Sequence, residues 1–379
     1  MNIPAAATDK FAVSGIREWG ELGDKPLRIW FNQTYGTNYW IVKMIQENPD
    51  NIAVHVVTTS DKVDSPVLLA GNESYLEPLR GTLDGEAYVD WALNFCKEKD
   101  IRVFVPMREI AAISGRLRDF QTLGVSVLAS PKDSIELLED KNLAYISARD
   151  NGIPVPPWRI ASTEKDFRDA YVSLMEEIQN KESICFKPVQ GVGGEGYRKI
   201  VTSQTTIDDL LIKPKHVVNL KELLDVFKRT EDAGQTLPEF MLMPYLAEPE
   251  TSVDCLSDIN GNVLAAIPRS KDDKFRVISD EAYESIEIAE QMSKIYKLAY
   301  LTNTQTRLYR GKPVLLETNA RISGGMFASP FAGINMPWEG IKLALFGSVS
   351  IPEIVTGAHY TAVPYLVRTD GVTIPELFA

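Results

Sequence analysis

The stretch PVLLETNARISGG, residues 313–325, decides how the rest of the chain is interpreted. Its apolar run predicts a strand, and the glycine pair at its end predicts a turn. Because side chains alternate across a strand, we expect Glu317, Asn319 and Arg321 on one face, with Leu316 on the other. Carboxylate and amide oxygens suit Mg²⁺, and a guanidinium suits a phosphoryl group in transfer. The alternative is a salt-bridged strand end beside a glycine-rich turn.

The charge balance limits the kinds of partner. The 379-residue chain carries 40 Lys and Arg against 52 Asp and Glu, a net charge of −12. This charge disfavours nonspecific attraction to nucleic acid or to an anionic membrane. No segment approaches the ~20 apolar residues of a membrane span. We therefore expect neither nucleic acid nor a membrane as a partner.

Length and cysteine content bound the class of protein. The length allows two or three domains, and a hydrophobic content of 44% is that of a globular protein with a core. Cys96, Cys185 and Cys255 are odd in number, far apart and set among apolar residues. They predict buried free thiols rather than disulfides or a metal site, and hence a reducing, cytoplasmic setting.

Strand and helix patterns alternate along residues 25–130, after a peripheral segment at residues 1–24. The predicted strands are residues 27–31, 53–57, 102–106 and 125–129, and the predicted helices are residues 40–45, 88–97 and 110–123. This alternation predicts a small, doubly wound parallel sheet. Ligands gather at the carboxyl ends of such strands, which here are the loops at residues 32–38 and 106–109. Both loops are candidates for selecting a substrate.

The sequence NGIPVPP, residues 151–157, marks a domain boundary because its glycine and prolines force an extended crossing. Before it, Asp133 and Glu136 have the spacing of a capping box. The helix predicted to begin there extends through Asp140 and Lys141. After the boundary, Thr163 is expected to begin another helix.

A glycine-rich loop lies within SICFKPVQGVGGEGYRKI, residues 183–200. Gly191, Gly193 and Gly196 match the spacing of a dinucleotide-binding turn, but that turn requires a following helix. The residues after the loop predict a returning strand, so we expect a hairpin whose backbone amides lie over nucleotide phosphates, with Lys187 adding a charge. The alternative is a mobile surface hairpin with a solvent-exposed lysine.

A crossing between two lobes is predicted at residues 243–246. An adenine ring fits against such a crossing, since Pro244 offers its carbonyl and Leu246 its N–H. The next strand carries polar side chains at alternate positions, which are Glu250, Ser252 and Asp254.

Two further groups of polar residues follow. A basic group beyond the next strand predicts either a solvated loop or a site for an anionic substrate or a phosphate. It consists of Arg269, Lys271, Lys274 and Arg276. A hairpin with Gly311 at its turn then places Gln305 beside Glu317 and Asn319, and these side chains supply the oxygens of a shared magnesium site.

Taken in order, these motifs resemble those of the ATP-grasp superfamily. The resemblance covers nearly the whole chain and is to the carboxylate–amine ligase type, with an ATP-grasp domain like that of carbamoyl-phosphate synthetase. It implies an α/β and α+β fold: a pre-ATP-grasp parallel-sheet domain at residues 25–130, then a two-lobed ATP-grasp domain at residues 131–379. The flap-bearing lobe would span about residues 153–242 and the metal-site lobe about residues 243–379.

The resemblance also implies roles for individual residues. The implied catalytic residues are Arg321, Lys187 and Arg269. The implied nucleotide-binding residues are Lys141, Lys187, Gly191, Gly193, Gly194, Gly196, Met243, Pro244, Tyr245, Leu246 and Glu250, with Glu250 as the ribose contact. The implied magnesium ligands are Gln305, Glu317 and Asn319. Met243 and Pro244 replace the Glu-Lys found in many relatives. Gln305 stands where many relatives have an acid, which leaves open whether a second metal ion binds.

The function implied by the resemblance is that of an ADP-forming ligase with ATP and Mg²⁺ as cofactors. Such an enzyme activates a carboxylate as an acyl phosphate, which an amine or similar nucleophile then attacks. Small-molecule carboxylate and amine substrates would be its partners, and a homodimer is left open. The alternative is an ATP-binding protein of the same fold that regulates or scaffolds without ligation.

Overall fold

The computed structural model describes residues 19–22, 25–33, 36–191, 196–203, 216–271 and 276–361. Within these ranges the chain forms one parallel sheet and two mainly antiparallel sheets, which confirms the predicted fold class. The predicted peripheral segment, residues 1–24, lies outside them apart from a 3₁₀ turn at Trp19–Leu22. No helix in these ranges combines the length and the apolar content needed to cross a membrane.

The first sheet is parallel throughout. Its strands are β1 (Leu27–Phe31), β2 (Val54–Ser60), β3 (Glu73–Leu76), β4 (Val103–Val105) and β5 (Ser126–Val127), in the order β3-β2-β1-β4-β5. The intervening helices are α1 (Asn38–Gln46), α2 (Gly85–Glu98), α3 (Ile110–Gly115) and α4 (Leu117–Thr122). One face of the sheet packs on α1 and the other on α2, α3 and α4. This is the doubly wound arrangement that the sequence predicts.

Two predicted helices are divided in the structure. The helix predicted at residues 110–123 breaks at Arg116, which leaves the helical conformation at φ −124°. The helix predicted to run from Asp133 through Lys141 is instead α5 (Lys132–Glu139) followed by α6 (Lys141–Asp150). Asp140 lies between them in an extended conformation and accepts a hydrogen bond from the Leu143 N–H, so it caps α6. The predicted capping box is wrong, because Pro131 holds the cap position of α5.

The second sheet carries the predicted glycine-rich hairpin. Its strands are β6 (Arg159–Ala161), β7 (Ile184–Pro188), β8 (Arg198–Val201), β9 (Val217–Asn219) and β10 (Phe240–Pro244), in the order β6-β10-β7-β8-β9. Strands β7 and β8 are antiparallel neighbours, so the hairpin is confirmed. The helices α7 (Glu164–Glu177) and α8 (Leu220–Asp232) pack on one face. Thr163 begins α7 as predicted, accepting from the Asp166 N–H.

The third sheet is antiparallel and holds the stretch from which the sequence was interpreted. Its strands are β11 (Ala247–Ser257), β12 (Val263–Lys271), β13 (Arg276–Ile278), β14 (Tyr300–Tyr309), β15 (Lys312–Asn319) and β16 (His359–Tyr360), in the order β15-β14-β11-β12-β13-β16. Its helices are α9 (Tyr283–Ile295) and α10 (Met336–Phe346). Helix α10 joins this sheet to the first one, since the Trp338 indole donates to Asp50 at 2.7 Å and Lys342 pairs with Asp50 at 3.0 Å.

The carboxyl ends of the parallel strands form a buried polar network. Asn32 is fully buried, accepts from the Met107 N–H at 2.6 Å and donates to the Tyr88 hydroxyl at 2.9 Å. Beside it, Arg108 pairs with Glu77 at 3.1 Å with both side chains buried. Burial raises the pKa of Glu77, while Arg108 acts in the opposite direction. These buried hydrogen bonds and the ion pair therefore stabilise the carboxyl ends of the strands.

The replacement Arg108→Met should lower the free energy of unfolding by about 3–5 kcal/mol, because it leaves Glu77 buried without its counter-charge. Urea unfolding followed by tryptophan fluorescence measures the change. Lys132→Met breaks an exposed pair with Glu136 and is the matched control, which should shift the transition far less. Equal shifts of the unfolding transition for the two variants would contradict a stabilising role for the buried Arg108–Glu77 pair.

Candidate active site

Four predicted site residues lie together on β14, β15 and the loop that follows. Gln305 is directly opposite Glu317, and Asn303 is opposite Asn319. The Asn319 amide donates to the Glu317 carboxylate at 3.3 Å, and Arg321 donates to the Asn319 oxygen at 3.1 Å. The structure thus joins the predicted magnesium ligands to the predicted phosphoryl-stabilising arginine.

A bulge in β15 interrupts the predicted alternation just before Glu317. Thr306 is opposite Leu315 rather than Leu316, so Leu316 has no partner across the ladder. Leu316 was predicted on the face away from Glu317, but it packs in the cluster that contains Tyr145 and Met243. The prediction is wrong because the extra residue shifts the pleat by one position.

The bulge aims backbone carbonyls at two buried side chains. The Tyr145 hydroxyl lies 3.0 Å from the Leu315 carbonyl and 2.9 Å from that of Leu316. The Lys187 ammonium donates to the Leu316 carbonyl at 3.3 Å. Strand β15 of the third sheet therefore holds the lysine carried by β7 of the second sheet. Tyr145 was not singled out from the sequence, where it is one aromatic residue on a helix.

The two predicted phosphate-binding lysines converge on this point. Lys187 is buried, and Lys141 donates to the carbonyls of Val189 at 3.2 Å and Gly191 at 2.8 Å, at the start of the glycine-rich loop. Burial lowers the pKa of both lysines, the charge of Lys187 lowers that of Lys141 further, and Glu317 opposes these effects at both. Three separate elements thus bring two cations and one carboxylate to the same space.

The glycine-rich loop is described only at its two ends. Gly191 has φ +135° and Gly196 has φ +72°, a region that favours glycine. A Cβ on Gly196 would also lie 2.7 Å from the Pro188 ring. The backbone therefore approaches β7 too closely for another residue. Gly193 and Gly194 lie outside the described residues, as does Tyr35 of the loop at residues 32–38.

The predicted crossing at residues 243–246 is shorter than expected. Met243 and Pro244 continue β10 opposite Cys185 and Ile184, so only Tyr245 and Leu246 connect β10 to β11. A proline is tolerated there because its carbonyl remains available, and it accepts from the Cys185 thiol at 3.7 Å. Cys185, Met243 and Leu246 are buried and pack in one apolar cluster. Burial raises the pKa of Cys185 to about 11, so this thiol is neutral and unsuited to act as a nucleophile.

Glu250 and Arg269 occupy charged pairs. Glu250, the predicted ribose contact, pairs with Arg307 at 3.0 Å. Arg269, predicted to be catalytic, donates to Asp254 at 2.6 and 3.1 Å. Asp254 was noticed only as one of several alternating polar residues, yet it is completely buried. A carboxylate in mid-sheet requires such a partner, but the sequence does not show which cation meets it.

The side chains at the ends of β14 and β15 suit a hard cation whose coordination is completed by oxygens of a bound ligand. Among the described residues, no group of three or more His, Cys, Asp and Glu side chains is placed to hold a metal. A cation here would rely on the Glu317 carboxylate and the amide oxygens of Gln305 and Asn319. The Asn319 oxygen accepts from Arg321, but an amide oxygen has two lone pairs and can also bind a cation.

The comparison with protein families matches the last part of the chain. A family described as "ATP-grasp in the biosynthetic pathway with Ter operon" matches residues 236–364. This span contains the crossing and the polar ends of β14 and β15, whereas Lys141 and Lys187 precede it. No curated protein matches the sequence.

Solved structures with a similar fold cover most of the chain. The biotin carboxylase domain of 2-oxoglutarate carboxylase from Hydrogenobacter thermophilus, solved with MgADP, ADP and bicarbonate, has a TM-score of 0.61 and 15% identity over 88% of this chain and 74% of that one. N5-carboxyaminoimidazole synthetase from Staphylococcus aureus has a TM-score of 0.59 and 14% identity over 87% and 80%. The L-amino acid ligase from Bacillus licheniformis has a TM-score of 0.55 and 15% identity over 85% and 74%.

The replacement Glu317→Gln should lower the pKa of Lys187 further, because burial would then act without the opposing carboxylate. A buried lysine with a lowered pKa makes the fold more stable as pH rises through that pKa towards the unfolded value. In the variant this gain should begin at a lower pH. NMR titration of ¹⁵N-labelled lysine side chains measures the shift, with the exposed Lys165 as internal control. An unmoved Lys187 titration would contradict the proximity of Glu317.

Proposed function

We propose that this chain, whose residues 236–364 match an ATP-grasp family, is a ligase that uses ATP and Mg²⁺ to join a carboxylate to an amine. The observation that carries the proposal is the convergence of Lys141, Lys187 and Glu317, which lie on α6, β7 and β15. Such a convergence of buried and half-buried charges is typical of a site that binds a polyanion and a metal ion. ATP would be converted to ADP and phosphate.

The nucleotide would lie between the second and third sheets. The adenine ring would lie against the apolar cluster of Cys185, Met243 and Leu246, beside the crossing. Its phosphates would then reach Lys141 and Lys187, under the backbone amides of the hairpin. A structure of similar fold was solved with MgADP and bicarbonate, which supports the proposal of a nucleotide site but does not give its position in this chain. Glu250 would reach the ribose while still paired with Arg307, since a carboxylate has several acceptor positions.

The magnesium ion would be held by Glu317, Asn319 and Gln305. When bound, Mg²⁺ neutralises the β- and γ-phosphate oxygens and makes transfer of the terminal phosphoryl group easier. With one carboxylate among three side chains, the protein supplies little negative charge of its own. Arg321, already bonded to Asn319, would meet the charge that develops on the transferring group.

The residues of the site favour transfer to a substrate rather than to the protein. Cys185 is a buried, neutral thiol, and Glu317 is expected on the metal. The γ-phosphoryl group would therefore pass to a carboxylate oxygen of the substrate as ADP leaves. An amine then attacks the carbonyl carbon of this acyl phosphate, phosphate departs, and the amine loses a proton. Direct attack on the free carboxylate is poor because the leaving group would be oxide.

The N-terminal sheet would contribute to substrate selection through the exposed part of the loop at residues 32–38. Asn32 and Asn38 of the loop at residues 32–38 are fully buried, so they support the loop. Thr37 is exposed and lies against Gly324, since a Cβ on that glycine would be 2.6 Å from the Thr37 hydroxyl. We therefore place the acid or amine near Thr37, where the first sheet meets the loop after β15.

The replacement Lys187→Met should weaken the binding of ATP by about 1.5–3 kcal/mol, the value of a charge-assisted hydrogen bond. Methionine keeps the buried volume of the side chain while removing its charge. Isothermal calorimetry with the non-hydrolysable analogue AMP-PNP measures the change. Lys165→Met removes an exposed lysine from the same lobe and is the control. Unaltered affinity in Lys187→Met would remove this lysine from the nucleotide site.

Hydroxylamine trapping tests the reaction class. Given ATP, Mg²⁺ and the correct acid from a panel of small carboxylates, the protein should release ADP and phosphate in equal amounts and yield a hydroxamate. Glu317→Gln should abolish both ADP release and hydroxamate formation, and circular dichroism checks that the variant is folded under the assay conditions. AMP as the product, or a phosphorylated protein on denaturing gels, would contradict the acyl-phosphate route. ATP binding without ADP release for any acid would favour the regulatory alternative.

A further inference from the structure

Asp254 lies near the middle of β11, between β12 and β14, and is completely buried. Its carboxylate accepts hydrogen bonds from Arg269 Nε at 2.6 Å, Arg269 Nη2 at 3.1 Å, the Asn303 amide at 2.8 Å and the Ser323 hydroxyl at 2.7 Å. One carboxylate thus receives donors from two neighbouring strands and from the loop after β15. A buried charge with this many donors is held in one orientation.

The hydrogen bonds lead directly to the residues of the proposed site. Asn303 lies opposite Asn319 in the β14–β15 ladder. Ser323 is two residues beyond Arg321, accepts from Arg269 at 3.2 Å and also from the Gly325 N–H at 3.3 Å. The segment at residues 321–325 is therefore bonded to Asp254 and Arg269 through a single hydroxyl.

Close packing fixes the same segment from two sides. A Cβ on Gly325 would lie 2.3 Å from Arg269 Nη1, and one on Gly324 would lie 2.6 Å from the Thr37 hydroxyl. The segment fits between the guanidinium and the N-terminal loop only because both residues are glycine. Displacement of Arg269 would open this contact.

We propose that Asp254 is a positioning residue, which acts through Arg269 and Ser323 to hold residues 321–325 so that Arg321 stays beside Asn319. The charge of Arg269 is balanced by Asp254, so Arg269 supports the segment instead of contacting the transferred phosphoryl group. The catalytic part of this inference rests on the proposed function. The structural part does not, because it concerns the free protein.

The test uses Ser323→Ala, which cuts the link to the segment and leaves the Asp254–Arg269 pair intact. Ser285→Ala is the matched control, since Ser285 is equally buried in contact with the same sheet and its hydroxyl bonds Thr306 at 2.8 Å. Hydrogen–deuterium exchange of the nucleotide-free protein should be about tenfold faster in Ser323→Ala for peptides covering residues 320–327, and unchanged there in the control. Gly325→Ala, which crowds Arg269, should have the same effect by a different route.

A kinetic measurement separates positioning from a general loss of stability. With ATP, Mg²⁺ and the acid identified by hydroxylamine trapping, Ser323→Ala should lower kcat for ADP release about tenfold and leave KM for ATP within twofold. Unchanged exchange in Ser323→Ala, or equal acceleration in both serine variants, would overturn the positioning role. Faster exchange with unaltered kcat would overturn its catalytic consequence. A wild-type protein that binds no ATP would refute the proposed function, whereas the exchange result would still decide whether Asp254 holds the segment.

Discussion

The buried ammonium of Lys187 is the constraint on which the arrangement of the cleft depends. Burying a cation requires an acceptor and a counter-charge, and here the Leu316 carbonyl and the Glu317 carboxylate supply them. Both groups belong to the third sheet, while the lysine belongs to the second. The charge therefore holds the two lobes in register at the point where the site is built. The bulge in β15 makes this possible, since a regular strand would direct the Leu316 carbonyl into the ladder.

A second buried charge is linked to Asn319 through Asn303, which bonds Asp254 and lies opposite Asn319 in the β14–β15 ladder. Asp254 and Arg269 compensate each other within the third sheet, and their hydrogen bonds extend through Ser323 to the segment after β15. The polar end of β15 is thus close to the cationic Lys187 of the second sheet. It is also linked by hydrogen bonds to the Asp254–Arg269 ion pair of its own sheet, which has no net charge. Only the first of these carries net positive charge towards a ligand, which is why we assign the phosphates to Lys141 and Lys187 and a supporting role to Arg269.

Residue alternation and glycine spacing were sufficient to predict the parallel sheet within residues 25–130, the hairpin at residues 183–200 and the grouping of Gln305, Glu317 and Asn319, whereas the two-lobed architecture was implied by the family resemblance. These features depend on local backbone geometry, which the sequence specifies directly. The bulge at Leu316 was not predictable, because it depends on which residue of β14 pairs with β15. The pairing of Asp254 with Arg269 and the burial of Asn32 likewise depend on tertiary packing, which the local sequence does not specify. The helix boundary at Asp140 was missed although Asp is a common cap, since the apolar pattern continues across it.

The two-residue connection between β10 and β11 also limits how the cleft can open. Tyr245 and Leu246 supply roughly four soft backbone torsions, and the Tyr245 N–H is already bonded to the Ser183 carbonyl at 2.6 Å. An ion pair between Arg310 and Glu182 at 3.2 Å spans the same junction. A large swing of one lobe would have to break this ion pair. The short connection and the ion pair therefore favour a nearly fixed arrangement of the two lobes, so ligand entry and exit should not depend on a large swing of either lobe.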